Sequence, residues 1–225
     1  ILSGLVGSEM CIRDRDGTLF NSVGQIVESL KFAAAKYEQP LTDEAAQSII
    51  GLGLPEVMQT LFPQVPHLQQ DILVSYGEHY VQNSKHDAWF DGVAELLQDL
   101  RDQGMKLAVA TGKSRRGLDR VLSQTQSHEL FDITRAASET MSKPHPLMLE
   151  EILAITGVDV QHAIMVGDSS YDLEMAMNID MPRIGVSYGV HDITVLQQYQ
   201  PLTIVDDIAG LHHYLNQLIQ INIDA

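Results

Sequence analysis

From about residue 85 onward the chain alternates between two textures. Short runs that are apolar almost throughout, at 106–111 (KLAVAT), 163–168 (AIMVGD), 183–189 (RIGVSYG) and 202–207 (LTIVDD), are separated by stretches whose apolar residues recur at helical spacing. Val93, Leu96, Leu97 and Leu100 fall at i, i+3, i+4 and i+7, and Leu211, Tyr214, Leu215, Leu218 and Ile219 repeat the pattern near the end. A run without polar alternation predicts a strand covered on both faces, hence a parallel sheet flanked by helices. A shorter run at 133–137 (ITRAA) predicts one more strand. The implied fold class is α/β, with a doubly wound, mainly parallel sheet that places ligands beyond the carboxyl ends of its strands.

Residues 22–84 break this rhythm and show no clear strand. Ile26, Leu30, Ala33, Ala34 and Tyr37 make one helical stripe, and Leu73, Tyr76, Tyr80 and Val81 make another. Between them runs a Gly/Pro-punctuated stretch, GLGLPEVMQTLFPQVP. The pattern predicts an α-helical unit over 21–84, inserted into an α/β core built from 1–20 and 85–225.

Composition narrows the partners. The chain has 225 residues, with 30 Asp and Glu against 14 Lys and Arg, a formal charge of −16. Such a surface repels nucleic acid and anionic membrane, which leaves a small molecule or another protein. A single cysteine, Cys11, excludes an intrachain disulfide and fits a reducing compartment. No apolar run approaches a membrane span, and the expectation is a soluble, cytoplasmic protein.

Four groups of chemistry-bearing residues stand where strands end. Asp14-Arg15-Asp16-Gly17-Thr18 comes first, Thr111-Gly112 closes KLAVAT, Lys143-Pro144 follows ITRAA, and Gly167-Asp168-Ser169-Ser170-Tyr171-Asp172 closes AIMVGD. Singly, the first three are ordinary turn, cap and helix-start features. The acids at 168 and 172 are less ordinary, since nearby carboxylates repel unless a cation lies between them.

Taken in order, the set resembles the haloacid dehalogenase-like hydrolase superfamily, and the helical insertion resembles its C1 cap. Within that superfamily the likeness is to phosphoglycolate phosphatase-like enzymes. The resemblance implies a Rossmann-like core and a Mg²⁺-dependent phosphatase acting on a small phosphorylated metabolite. It implies Asp14 as the nucleophile that forms an aspartyl-phosphate, and Asp16 as the general acid and base. Thr111, with the backbone at Gly112, and Lys143 would hold the phosphoryl group. Mg²⁺ would be held by Asp14, the Asp16 carbonyl, Asp168 and Asp172, the last directly or through water. The turn containing Gly51 and Gly53 would contact substrate, with a plain interhelical turn as the even alternative.

Other readings are weaker or stay open. ATGKS (110–114) is no Walker loop, because Leu107 stands where the first glycine is needed. His145, His191, His212 and His213 lack the companions of a metal site. The cap lysines Lys31 and Lys36 carry no mark of a Schiff-base residue. A β-phosphoglucomutase-like phosphomutase shares the core and cap type. An inactive binding protein would result if the first strand did not form.

That strand is the departure from the family pattern. GSEMCIR precedes Asp14, where apolar residues are expected, and Arg13 and Arg15 flank it. Alternation sends both arginines to one face, away from Asp14. Residues 1–15 also resemble translated sequencing-adapter sequence, which would place authentic sequence from about Asp16 onward.

Overall fold

A computed structural model describes residues 9–83 and 89–223 of the chain. Six strands form one parallel sheet: β1 (Met10–Arg13), β2 (Lys106–Thr111), β3 (Ile133–Ala136), β4 (Ala163–Gly167), β5 (Arg183–Val186) and β6 (Ile204–Val205). Their order is β3-β2-β1-β4-β5-β6. The chain steps outward from β1 to β3 and then returns to the other side of β1. That reversal leaves a crevice at the carboxyl ends of β1 and β4, where such sheets bind ligands. Asp14 and Asp168 are the residues that follow those two strands.

Helices cover both faces, as the continuous apolar runs require. On one face Cys11, Leu107, Val109, Ile164 and Val166 pack with residues of α5 (Val93–Asp102), α6 (Arg115–Gln124) and α10 (Ile208–Ile223). On the other, Met10, Ile12, Ala108, Ala110 and Met165 meet α7 (Leu147–Thr156) and α8 (Ser170–Met177). A short helix, α9 (Ile193–Gln197), leads toward β6. No helix among the described residues is long and apolar enough to cross a membrane.

The helical insertion comprises α1 (Val23–Lys36), α2 (Asp43–Ser48), α3 (Leu54–Leu61) and α4 (Gln69–Asn83). Gly53 is the N-cap of α3 and Pro55 sits in its first turn, where a missing N–H is harmless. The insertion has its own apolar core, including Ile26, Leu30, Ile50, Met58, Ile72 and Tyr76. The expected boundary at residue 84 lies outside the described residues.

Three sequence expectations need correction. Val81 is 52% exposed, because the buried row of α4 is Ile72, Tyr76 and Tyr80 with Ser75 beside it. The run at 183–189 leaves the sheet after Val186 and turns, so that Val190 donates its N–H to Asp168 Oδ2 at 2.9 Å. The run at 202–207 contributes only Ile204–Val205 to a strand at the sheet edge.

The first strand does form. Met10–Arg13 is the buried centre of the sheet, hydrogen-bonded to β2 and β4. Arg13 is fully buried, and its Nε, NH1 and NH2 make no hydrogen bond of ordinary geometry with the described residues. It stands on the Cys11 face of the strand, where alternation sends it. The Cys11 thiol there has its pKa raised by burial, with the Arg13 charge and a contact to its guanidinium acting the other way. Arg15 lies past the strand end and is paired. Its NH1 is 3.0 Å from Asp16 Oδ1, and its guanidinium stands 4.2 Å from the centre of the Phe20 ring.

Candidate active site

The chain leaves β1 at Asp14 and turns sharply at Gly17, whose φ is +77°. A Cβ at Gly17 would overlap the Asp168 carboxylate, so only glycine lets these two strand ends approach. Thr18 follows and donates its hydroxyl to Asp168 Oδ1 at 2.6 Å. Asp172 sits one turn into α8, where it and Ser169 form a reciprocal capping box.

Lys143 joins the two halves of the acid cluster. Its buried ammonium lies 3.0 Å from Asp14 Oδ1 and 2.6 Å from Asp172 Oδ1. The Arg15 N–H also donates to Asp14 Oδ1, at 2.7 Å. Asp14 Oδ2 accepts no hydrogen bond from any described residue, and Asp14 lines a cavity. Ligand oxygens of Asp14, Asp168 and Asp172 all lie within 4.8 Å of one another. Burial pushes the Asp14 carboxyl up to about 7; Lys143 opposes this, while the charges of Asp172 and Asp16 add to it. Asp168 is held well above the carboxylate range by burial, then by the charges of Asp172 and Asp14. The Lys143 pKa is raised, since the two carboxylates outweigh its burial.

Asp16 has the opposite surroundings. Arg15 NH1 at 3.0 Å and Ser22 Oγ at 2.5 Å donate to its Oδ1, and Lys113 Nζ lies 3.2 Å from Oδ2. Burial alone would raise its pKa, but Lys113 and Arg15 outweigh that and hold it below the usual carboxylate value.

The cavity has a volume of about 830 Å³ and lies between the sheet ends and the helical insertion. Asp14, Asp16, Gly51 and Gly112 line it. Thr111, Lys143, Asp168 and Asp172 are buried and do not line it; Lys143 meets it only through Asp14, and Thr111 stands next to Gly112. Gly53 does not line it; its N–H goes to Ser142 Oγ at 2.8 Å. A Cβ at Gly112 would stand 2.5 Å from the carbonyl oxygens of Gly51 and Leu52, so the insertion's loop rests on the backbone beside Thr111.

The pattern of the haloacid dehalogenase-like hydrolases matches residues 11–186, well over half of the chain and all four strand-end groups. The chain belongs to that family. Among relatives of this hydrolase, "Probable phosphatase IndB" of Dickeya dadantii (strain 3937) is 30% identical, with 93% of this chain and 95% of the relative covered. A phosphoglycolate phosphatase of Agrobacterium fabrum (strain C58 / ATCC 33970) is 29% identical, with 91% of each covered. A crystal structure described as a "predicted phosphoglycolate phosphatase" from Haemophilus somnus 129pt shares the fold with a TM-score of 0.82 at 23% identity, covering 92% of this chain and 97% of that one.

Several residues of the hydrolase site escape a reading of motifs alone. Lys113 belongs to the failed Walker match, yet it contacts the second acid of the pair. Ser22 and Val190 hold Asp16 and Asp168 through single bonds that carry no sequence signature, while Thr18, quoted with the first acids, holds Asp168. The histidines have local partners instead of a metal arrangement. His212 Nε2 lies 2.6 Å from Asp99 Oδ2, and His191 Nδ1 accepts the Ser170 N–H at 2.8 Å. Lys31 pairs with Asp43 at the surface, and nothing desolvates it.

Proposed function

We propose that the chain is a Mg²⁺-dependent phosphatase that hydrolyses a small phosphate monoester through an aspartyl-phosphate on Asp14. One observation carries the reading. Asp14 has one oxygen fixed by Lys143 and the Arg15 N–H, while its other oxygen receives no described donor beside a cavity. That is the arrangement of an oriented nucleophile.

In the first step Asp14 Oδ2 attacks phosphorus, the ester P–O bond breaks, and the leaving oxygen takes a proton from Asp16. In the second, Asp16 takes a proton from water as the water oxygen attacks phosphorus; the Asp14–phosphorus bond breaks and phosphate departs. Lys143 supplies the fixed positive charge against the phosphoryl oxygens. Thr111 Oγ1 accepts the Lys113 N–H at 3.3 Å and gives its own proton to no described residue, so it can donate to a phosphoryl oxygen.

The donor set fits a hard divalent cation. Three buried carboxylates converge with one lysine between them, and the Asp16 carbonyl accepts no hydrogen bond from the described residues. Asp14, the Asp16 carbonyl and Asp168 would hold the ion. Asp172 accepts three bonds, one from the Lys143 ammonium and two from Ser169, against two neutral donors on Asp168, which favours its acting through water. When bound, Mg²⁺ offsets the repulsion among carboxylates and phosphate and polarises the phosphoryl group.

In this reading residues 21–84 serve as a cap that closes over the site and excludes bulk water. Mg²⁺-dependent release of phosphate from a generic aryl phosphate, lost in Asp14→Asn, is the expected result. A folded, metal-loaded chain with no release from a broad panel of phosphate esters would refute it.

A further inference from the structure

Arg116 and Arg120 lie one turn apart on α6 and both line the cavity, close behind Lys113. Neither forms an ion pair or hydrogen bond with any described residue. Arg115, next to them in sequence, instead pairs with both Asp119 and Glu139. Two arginines without a carboxylate partner are notable in a chain carrying 30 acids against 14 Lys and Arg. Arg120 is half-buried, its Nε has no hydrogen-bond partner, and its guanidinium stands 5.4 Å from the centre of the Tyr80 ring. Lys113 stands 4.7 Å from the same ring while its Nζ contacts Asp16. Cationic groups therefore continue from the catalytic acid, past Tyr80, to the middle of α6. Glu78, which is exposed, is the one acid among the lining residues besides Asp14 and Asp16.

The opposite wall is apolar, with Ile26, Leu30, Ile50, Leu54 and Leu73 facing the same space. A volume of about 830 Å³ falls in the range that holds a molecule of drug or cofactor size. Phosphoglycolate or pyrophosphate would leave most of it to water.

We propose that the preferred substrate is a phosphate monoester with an apolar, ring-sized body and a second anionic group, which Arg116 and Arg120 bind while the body lies against the cap wall. This deepens the phosphatase reading and rests on it for the phosphoryl end. Arginine suits the task because its planar fork grips a carboxylate or phosphate in two places. Arg116 and Arg120 are thus specificity residues that touch the substrate far from the reacting atoms.

Calorimetric binding to the Asp14→Asn chain with Mg²⁺ separates the ideas, using phenyl phosphate and 4-carboxyphenyl phosphate as probes. The carboxylated ester should bind about tenfold more tightly or better, as expected for a charge-assisted contact. Adding Arg116→Gln or Arg120→Gln should erase that preference and leave phenyl phosphate within about twofold. Arg120→Lys should restore part of it. A preference below about twofold in the parent overturns the proposal. An equal loss for both esters also overturns it, since the arginines would then only dock the cap. Phosphate release by the unsubstituted chain from the same esters is measured separately. Its absence would fail the phosphatase reading, while the binding ratio would still decide the anion subsite.

Discussion

Lys143 sits between Asp14 and Asp172, 3.0 Å from an oxygen of the first and 2.6 Å from an oxygen of the second. One cation thus serves two of three clustered carboxylates, and the cluster keeps an excess of negative charge. Replacing Asp14 by Asn removes the proposed nucleophile and part of that excess. Asp14→Asn should lower kcat by roughly a thousandfold or more, while raising the melting temperature of the metal-free protein. A less stable Asp14→Asn chain would contradict the electrostatic account.

The same cluster sets a pH dependence. Asp14 rises to about 7 in the folded chain, through burial with Lys143 opposing, and Asp168 is also raised. An ordinary unfolded aspartate titrates near ~3.9. A raised folded pKa gives stability that is full below the unfolded value and lost as pH rises through the folded one. The melting temperature of the metal-free chain should therefore fall, relative to Asp14→Asn, between about pH 4 and pH 7. Mg²⁺ should raise it more at the alkaline end of that window, because metal and protons compete for the same oxygens. Thermal melts with and without Mg²⁺ check this, and equal Mg²⁺ increments at both ends would count against it.

Asp16 behaves in the opposite sense. Burial works to raise its pKa, but Lys113 and Arg15 lower it further, so its stabilising effect is present above the unfolded pKa and fades as pH falls through the folded value. An ionised Asp16 is ready to accept a proton from water but poor at protonating a leaving oxygen. Esters with acidic leaving groups should therefore be preferred. Arg15→Met removes one of the two cations, so the alkaline limb of kcat/KM for an alkyl phosphate should move upward. An unmoved limb would assign the effect to Lys113 alone.

Arg13 invites a stability test far from the chemistry. It is fully buried, and among the described residues its guanidinium has no carboxylate partner and no neighbour, beyond a contact with the Cys11 thiol, that restores its lost hydration. Replacing buried charge by apolar side chains has stabilised other proteins by roughly 1–4 kcal/mol, and a charge without a carboxylate partner should lie within that range. Arg13→Val also suits a strand flanked on both sides. Urea unfolding should show a higher midpoint with an unchanged slope. A lower midpoint would mean that Arg13 has a partner that offsets its burial.

The sheet was largely legible because β2 and β4 are buried on both faces and carry apolar residues almost throughout. β1 was not, since Arg13 interrupts the pattern and its place is fixed by pairing with β2 and β4. Val81 shows the limit within a helix: a cavity wall and a core face both attract apolar residues, and spacing alone does not separate them. The strand-end acids, Thr111 and Lys143 were legible as a set, because one sheet end gathers what the sequence scatters. Arg116 and Arg120 were not, for an exposed helical face and a cavity wall read alike until the opposing helices are in place.

The contact at Gly112, where the insertion's Gly51–Leu52 carbonyls rest against the backbone beside Thr111, has a wider consequence. The chamber has two owners. In the proposed reaction one contributes the groups that break the bond, and the other contributes most of the surface that the rest of the substrate meets. On that proposal, changes within α1–α4 should redirect the enzyme to new compounds while the inherited chemistry stays untouched.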